Sequence, residues 1–459
     1  MSIGVQAAPS RGARVIPFMR LLARHPRAAV RAFETAGRQA DGELVRLGMG
    51  PFRPYLVTHP DHVQHVLRAN QANYVRQGMF WDPLAPLLGE AILSDGPVWA
   101  ASRRILQPLF TARHIASLAG RMAGLVTELI EATVRPGRPF DVLDGMSRIV
   151  HPVIVRLFFG DKITHADIAR LMPAYHDGVT ATSIRLVLPF VPQGFPLPGD
   201  RRFRRAIATI DGVVYPRIRA ARSTGQDGTD VLSALCRALE ADSRSDADQP
   251  WQDEERWLRD NLVSMHGAST ETTATALSWI WPILQQHPQV AERLYAEVDR
   301  VVGGDPVGPE HLPELRYLSR VVSELLRLYP PGWMLPRLAL EDDVIDGVRV
   351  PAGATVVISP FLSHRLPRFW EDPLRFDPDR FTGEREERRH RYAYFPFGGG
   401  PHQCLGSHLF LMEAQLLIAA IVSRYRAVVH ADGPLTPQLA SSLRPRKGLT
   451  MTLIPRERT

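Results

Sequence analysis

The stretch FPFGGGPHQCLGSH, residues Phe395 to His408, holds three consecutive glycines, a proline, two histidines and one of the chain's two cysteines. Three chemistries compete for such a loop, and residue order separates them. A phosphate-gripping loop needs Lys and then Ser or Thr after its last glycine, but Gly400 is followed by Pro401, His402 and Gln403. A dinucleotide fingerprint needs G-x-G-x-x-G after a strand, and the glycine spacing here fails. Zinc could take His402, Cys404 and His408, yet a structural site wants a fourth ligand, and none sits nearby at a familiar spacing. What remains is a lone cysteine opening the strongly helical run LGSHLFLMEAQLLIAAIVSRY. The positive end of a helix favours the thiolate form of that cysteine. Gly400 and Gly406, on either side of it, allow backbone to approach a flat ligand closely.

A single thiolate with a flat partner suggests haem; the competing reading is an inert, buried cysteine in a glycine-rich turn. The rest of the chain bounds the choice. Of its 459 residues 45% are hydrophobic and 22% charged, an ordinary globular composition that can bury a large core. The net charge, 55 − 48 = +7, is carried almost wholly by arginine, since lysine occurs only at Lys162 and Lys447. No basic run interleaved with aromatics is present, so the arginine bias reads as a coding habit rather than a nucleic-acid surface; a basic patch could still serve an acidic protein partner. Cys236 and Cys404 form no Cys-x-x-Cys pair, which excludes a disulfide scaffold and fits a reducing compartment.

The N-terminal apolar run Val15 to Met19 is broken by Pro17 and is too short for a signal core or a membrane-spanning helix. Residues 13–35 read as a first helix packed on its own domain rather than one lying on a membrane surface. A cytoplasmic chain with no transmembrane segment is the expectation. Apolar residues at three- and four-residue spacing predict helices over 60–69, 98–110, 117–133, 202–222, 252–287, 288–302, 314–328 and 405–425. Strand signals are confined to patches at about 43–58 and 340–360, the second carrying Asp346-Gly347, a good two-residue hairpin turn. With no internal repeat and no long linker, the fold class is mainly α with a minor β region, in a single domain over 1–459.

The spacing Phe397-x-x-Gly400-x-His402-x-Cys404-x-Gly406 resembles the haem-binding signature of cytochromes P450, with histidine where many members have arginine. Two further segments carry the same resemblance in the same order. SELLRLYPP supplies Glu324 and Arg327, three apart on one helix face, and FDPDRF supplies Arg380; together they resemble the family's buried Glu-Arg-Arg triad, a structural feature. MHGASTETTATALSW, residues 265–279, resembles the family's central oxygen-binding helix, aligned as Ala268-Ser269-Thr270-Glu271-Thr272-Thr273. Its hydroxyls can bond back to carbonyls four residues earlier. Ser269 stands where the family usually has glycine. The likeness also marks Trp99 and Arg103 of VWAASRR, Arg337 of LPR and His402 as partners of haem propionates, since a cation suits a buried carboxylate. His364 and His408 are left as structural or supporting residues.

The resemblance implies the cytochrome P450 fold, a helical haem-binding domain with small antiparallel sheets and its haem-thiolate loop at 395–408. It implies haem b ligated by the thiolate of Cys404, with Phe397, Gly400, His402 and Gly406 around it. Glu271 and Thr272 become the acid–alcohol pair that relays protons for cleavage of dioxygen. The implied enzyme is a monooxygenase that inserts one oxygen atom into a lipophilic small molecule, terpenoid, steroid or fatty-acid-like. Electrons come from separate partners, a small acidic ferredoxin and its reductase, and the protein is a monomer. The rival readings are a peroxide-driven or non-redox haem-thiolate enzyme and a non-enzymatic haem sensor. Intact Glu271-Thr272 argues against the first, and the apolar stretches at 74–93 and 184–199 argue against the second.

Overall fold

A computed structural model describes the chain except for residues 1–10, 26–27, 188–190, 192–193, 224–227, 244–250, 252, 432, 434, 447 and 457–459. Part of the apolar stretch 184–199 therefore lies outside the described residues. The chain divides into two compact units, one made of the described residues up to 76 with 320–404 and 433–447, the other of 77–319, 405–432 and 448–459.

The first unit is built on a six-stranded sheet in the order Arg14–Ile16, Val45–Leu47, Tyr55–Val57, Thr355–Ile358, Leu335–Ala339 and Tyr74–Val75. It is mixed rather than antiparallel: Arg14–Ile16 runs parallel to Val45–Leu47, and Tyr55–Val57 parallel to Thr355–Ile358. Both predicted β patches lie in this unit. The hairpin Asp343–Ile345 and Val348–Val350 turns through Asp346 at φ 48° and Gly347 at φ 72°, the left-handed pair that a two-residue turn requires. Two corrections fall here. Residues 13–35 are not one helix: Val15 and Ile16, β-branched, join the sheet edge, and Pro17 then opens a helix over Phe18–Arg24, followed by a second over Ala29–Ala40. The predicted helix 60–69 is α-helical only over Pro60–Gln64, then widens to a π turn over His65–Ala69.

The second unit is helical around one long element, Glu254–Gln286, the central helix. Asp253 caps its start by accepting the Arg256 N–H at 3.1 Å. Val142–Phe159, absent from the predicted helices, packs its apolar side along it, while Asp144, Arg148 and Arg156 line the opposite, more accessible side. The run after the cysteine is helical over Ser407–Val422, here called the cysteine helix. It starts three residues after Cys404 and stops short of 425, because Tyr425–His430 pairs antiparallel with Thr450–Pro455 instead. The stretch 400–422, of mean hydropathy 1.7, is long and apolar enough to cross a bilayer by length and composition; 67% of it is buried, as in a core helix.

Candidate active site

In the first unit the loop is held by its own backbone. The Cys404 N–H donates to the Phe397 carbonyl at 2.8 Å, and the Gln403 N–H to that of Gly400 at 3.1 Å. Gly400 has φ 67°, and a Cβ there would lie 1.8 Å from the Leu67 carbonyl oxygen in the π turn. Packing within the protein thus already demands glycine at 400. Gly406 differs: its φ is −83° and a Cβ would meet nothing within 4 Å. The protein's own packing makes no such demand there. Cys404 itself is exposed. Arg76 donates to the His402 carbonyl at 3.3 Å, and Arg337 is buried in its strand with Nη1 on the Pro336 carbonyl at 2.8 Å.

Behind the loop, Glu324 and Arg327 are fully buried and paired by both carboxylate oxygens, Nε to Oε2 at 2.6 Å and Nη2 to Oε1 at 2.8 Å. Arg380 completes the cluster, its Nε 3.5 Å from Glu324 Oε1. A buried carboxylate flanked by two guanidinium groups is the arrangement in which ion pairing offsets desolvation. His364, read from the sequence only as a structural or supporting residue, connects this cluster to the cysteine loop. Its Nε2 accepts the Phe395 N–H at 2.9 Å, and Nδ1 lies 3.3 Å from the Arg327 carbonyl. Burial holds its imidazole well below the usual histidine range, so the ring is neutral. Only the Nδ1–H tautomer satisfies both bonds. No spacing in the sequence signals this link, since its partners are backbone atoms brought in by folding.

In the second unit the central helix is buried from Trp257 to His266 and again from Thr273 to Leu284, but is partly accessible from Gly267 to Thr272, with Ala268 exposed. The opening coincides with the motif. The predicted back-bonding is present: Ser269 donates to the Met265 carbonyl at 2.7 Å, Thr270 to that of His266 at 3.0 Å, and Thr272 to that of Ala268 at 2.6 Å. Ser269, where glycine was expected, folds its hydroxyl into the helix. With its proton donated, the Thr272 oxygen is left as an acceptor. Glu271 lies in the same accessible window. Trp99 and Arg103 lie one turn apart on the helix Gly96–Leu106, both half-buried. The buried Ser102 between them accepts the Trp257 indole N–H at 2.9 Å and an Asn261 amide N–H at 3.3 Å, fastening this helix to the central one. Beside the window, the His266 ring lies tilted against that of Tyr175, centroids 4.0 Å apart, and meets the His151 ring edge-on at 4.8 Å. Burial lowers the pKa of both histidines, His151 to about 4.

Among the described residues no group of three His, Cys, Asp or Glu side chains could hold a metal ion. One exposed thiolate donor in a glycine-lined loop fits an iron that brings its other in-plane ligands with it, as in a porphyrin. The family described as Cytochrome P450 matches residues 11–453. The chain is 35% identical to cyclooctat-9-en-7-ol 5-monooxygenase of Streptomyces melanosporofaciens, covering 85% of this chain and 84% of that protein. It is 34% identical to cyclooctatin synthase of the same organism (92% and 89% covered) and 28% identical to pentalenene oxygenase of Streptomyces avermitilis (89% of each). Its fold matches the crystal structure of the cytochrome P450DA heme domain at TM-score 0.85 and 24% identity, covering 98% of both chains. The chain therefore belongs to the cytochrome P450 family and is a monooxygenase-class oxidoreductase whose cofactor is thiolate-ligated haem b.

Proposed function

We propose that the protein hydroxylates or epoxidises a terpenoid of mostly hydrocarbon character, in a reaction R–H + O2 + 2 electrons + 2 protons → R–OH + H2O. The observation that carries this is the accessible window Gly267–Thr272 of the central helix, flanked by buried turns on both sides. The relatives named for alicyclic alkenol and hydrocarbon substrates support the substrate class.

Haem supplies the dioxygen and one-electron chemistry; the chain's residues do the rest. In the first unit the Cys404 thiolate would hold the haem iron, presented by the loop of Phe397, Gly400 and His402, with Gly406 following it. Open space at the Gly406 Cβ fits close approach by a flat group. Arg337, His402, Trp99 and Arg103 would supply cations and donors for the propionates. Glu324, Arg327 and Arg380 are structural. Glu271 takes up and passes on protons, and the Thr272 hydroxyl oxygen, free to accept, orients the donor that delivers them. Electrons come from a small acidic ferredoxin with its reductase. The exposed Arg68, next to the Leu67 carbonyl at the cysteine loop, suits such a partner. The enzyme works as a cytoplasmic monomer.

The test is turnover of a sesquiterpene hydrocarbon and a diterpene alcohol by the holoenzyme with ferredoxin, reductase and nicotinamide cofactor. The expected product is one oxygen heavier, turnover falls steeply with ionic strength, and Thr272→Ala lowers product per electron by roughly 10²-fold, the scale of a lost proton relay. Product formed with peroxide and no electron donor would favour the rival enzyme reading instead.

A further inference from the structure

In the first unit the π turn His65–Ala69 presses the Leu67 carbonyl against Gly400, and the Arg68 Cα lies 3.4 Å from where a Gly400 Cβ would be. Such a turn has to be held, because the helix Pro60–Gln64 before it would otherwise run on in its ordinary register. One carboxylate holds both of its ends. Asp343 Oδ2 lies 2.7 Å from His65 Nε2, at the first residue of the turn, and accepts the Asn70 side-chain amide at 3.0 Å, just after the last. A carboxylate only accepts, so Nε2 carries the His65 ring proton. The Asn70 backbone N–H closes the turn on the His65 carbonyl at 2.8 Å. The same Asp343 oxygen accepts the hydroxyl of the fully buried Tyr74 at 2.6 Å, while Oδ1 accepts the Val344 N–H at 2.7 Å. Three residues beyond Asn70, Asn73 is stapled to Glu341: its amide donates to the Glu341 carbonyl at 3.2 Å, and its Oδ1 accepts the Glu341 N–H at 2.7 Å. The exit of the turn and the start of the hairpin are therefore tied together twice.

We propose that Asp343 is a positioning residue for the cysteine loop, clasping the π turn in the register that seats the Leu67 carbonyl on Gly400. A staple between hairpin and sheet would need one bond; here imidazole, amide and hydroxyl converge on a single oxygen from both ends of the turn. Without the clasp the turn falls back to the α register. One residue of register is about 100° around the helix axis, which swings the Leu67 carbonyl off Gly400. The loop then loses the backbone against which Gly400 closes. The bonds from the Gln403 N–H to Gly400 and from the Cys404 N–H to Phe397 loosen with it. The inference rests on the reading of Cys404 as the iron ligand.

Hydrogen exchange of the haem-loaded full chain, and the Soret spectrum of its reduced, carbon-monoxide-bound form, test it. Tyr74→Phe keeps the ring and removes one bond from the carboxylate; Asp343→Ala removes all three. The Asn70 backbone amide exchanges about tenfold faster in the first and about a hundredfold faster in the second, the scale that bonds to a charged acceptor supply. The Gln403 and Cys404 amides quicken with it, while amides over 273–284 keep their wild-type rates. The thiolate-ligated fraction falls in the order wild type, Tyr74→Phe, Asp343→Ala. An unchanged Asn70 rate in Tyr74→Phe overturns the clasp even if Asp343→Ala fails to fold. A faster Asn70 with unchanged Gln403 and Cys404 overturns the link to the loop, and equal quickening over 273–284 overturns it in favour of general loosening. Faster loop exchange with an undiminished thiolate band overturns the positioning of the sulfur. Cys404→Ala tests the ligand reading separately: a thiolate band that survives there overturns that reading and leaves the clasp standing.

Discussion

Among the described residues each unit contains a buried knot of arginine and carboxylate around Glu324 or Arg259, and the two are built in opposite ways. In the Glu324 cluster one carboxylate serves two guanidinium groups, and all five Arg327 N–H donors are used: two bonds to Glu324 and one each to the carbonyls of His364, Pro373 and Arg375. Both members of the pair are fully buried. In the Arg259 cluster one guanidinium serves two carboxylates, and one of these, Asp211, is 31% exposed. Desolvation pushes the Asp260 carboxyl up, with Arg259 pulling against it. A closed knot has no bond that water can take over, so it behaves as scaffold; an open one has an edge where exchange with water can begin. A third case marks the limit of the series. Glu413, in the cysteine helix, is fully buried, neither of its oxygens has a hydrogen-bond partner among the described residues, and burial pushes its carboxyl up to about 8.

The sharpest break in the closed knot is Glu324→Ala, which leaves Arg327 buried without its counter-charge. A loss of about 3–5 kcal/mol is expected, read as a lower denaturation midpoint and reduced haem incorporation. A change below about 1 kcal/mol would mean that the carbonyls alone can hold Arg327. Glu413→Gln tests the unpartnered carboxyl by its pH dependence. Its folded pKa lies above the unfolded value of 4.5, so the folded state keeps a proton that the unfolded state releases. Stability is then fullest below about pH 4.5 and falls as pH rises towards 8, by about 1.4 kcal/mol per unit. Glutamine removes that slope, so melting curves of variant and wild type should diverge between pH 5 and 8 in favour of the variant. Parallel curves would show that Glu413 has a partner in solution. The smallest effect belongs to the open edge. Asp211→Asn should cost about 0.5–1 kcal/mol, as for a partly exposed pair, and this loss should shrink in high salt. A loss as large as that of Glu324→Ala would place the two knots in one class.

How much of this was legible from the chain varies by feature. The cysteine loop, Glu324-x-x-Arg327 and the 268–273 stretch announce themselves because their chemistry needs fixed residue types at fixed local spacing. The same holds for the Asp346-Gly347 turn, where two left-handed residues leave few choices. The strand at Arg14–Ile16 and the C-terminal strand pair were not legible. Each is a short segment whose partner lies far away in sequence, and its pairing, not its propensity, makes it a strand. Ser102, Arg259 and Asp260 read as unremarkable letters, since all of them act by meeting backbone atoms or distant side chains.

The sequence alone thus determined the family, the cofactor class and the places of the central and cysteine helices, because local periodicity and motif spacing survive without a fold. The tertiary structure decided which stretch of the central helix is accessible, why Gly400 must be glycine, and which buried charges are locked and which stand at an edge. Those properties depend on what lies across from a residue in space. Burial and hydrogen-bond satisfaction are properties of pairs of surfaces, and a chain read end to end contains only one surface of each pair.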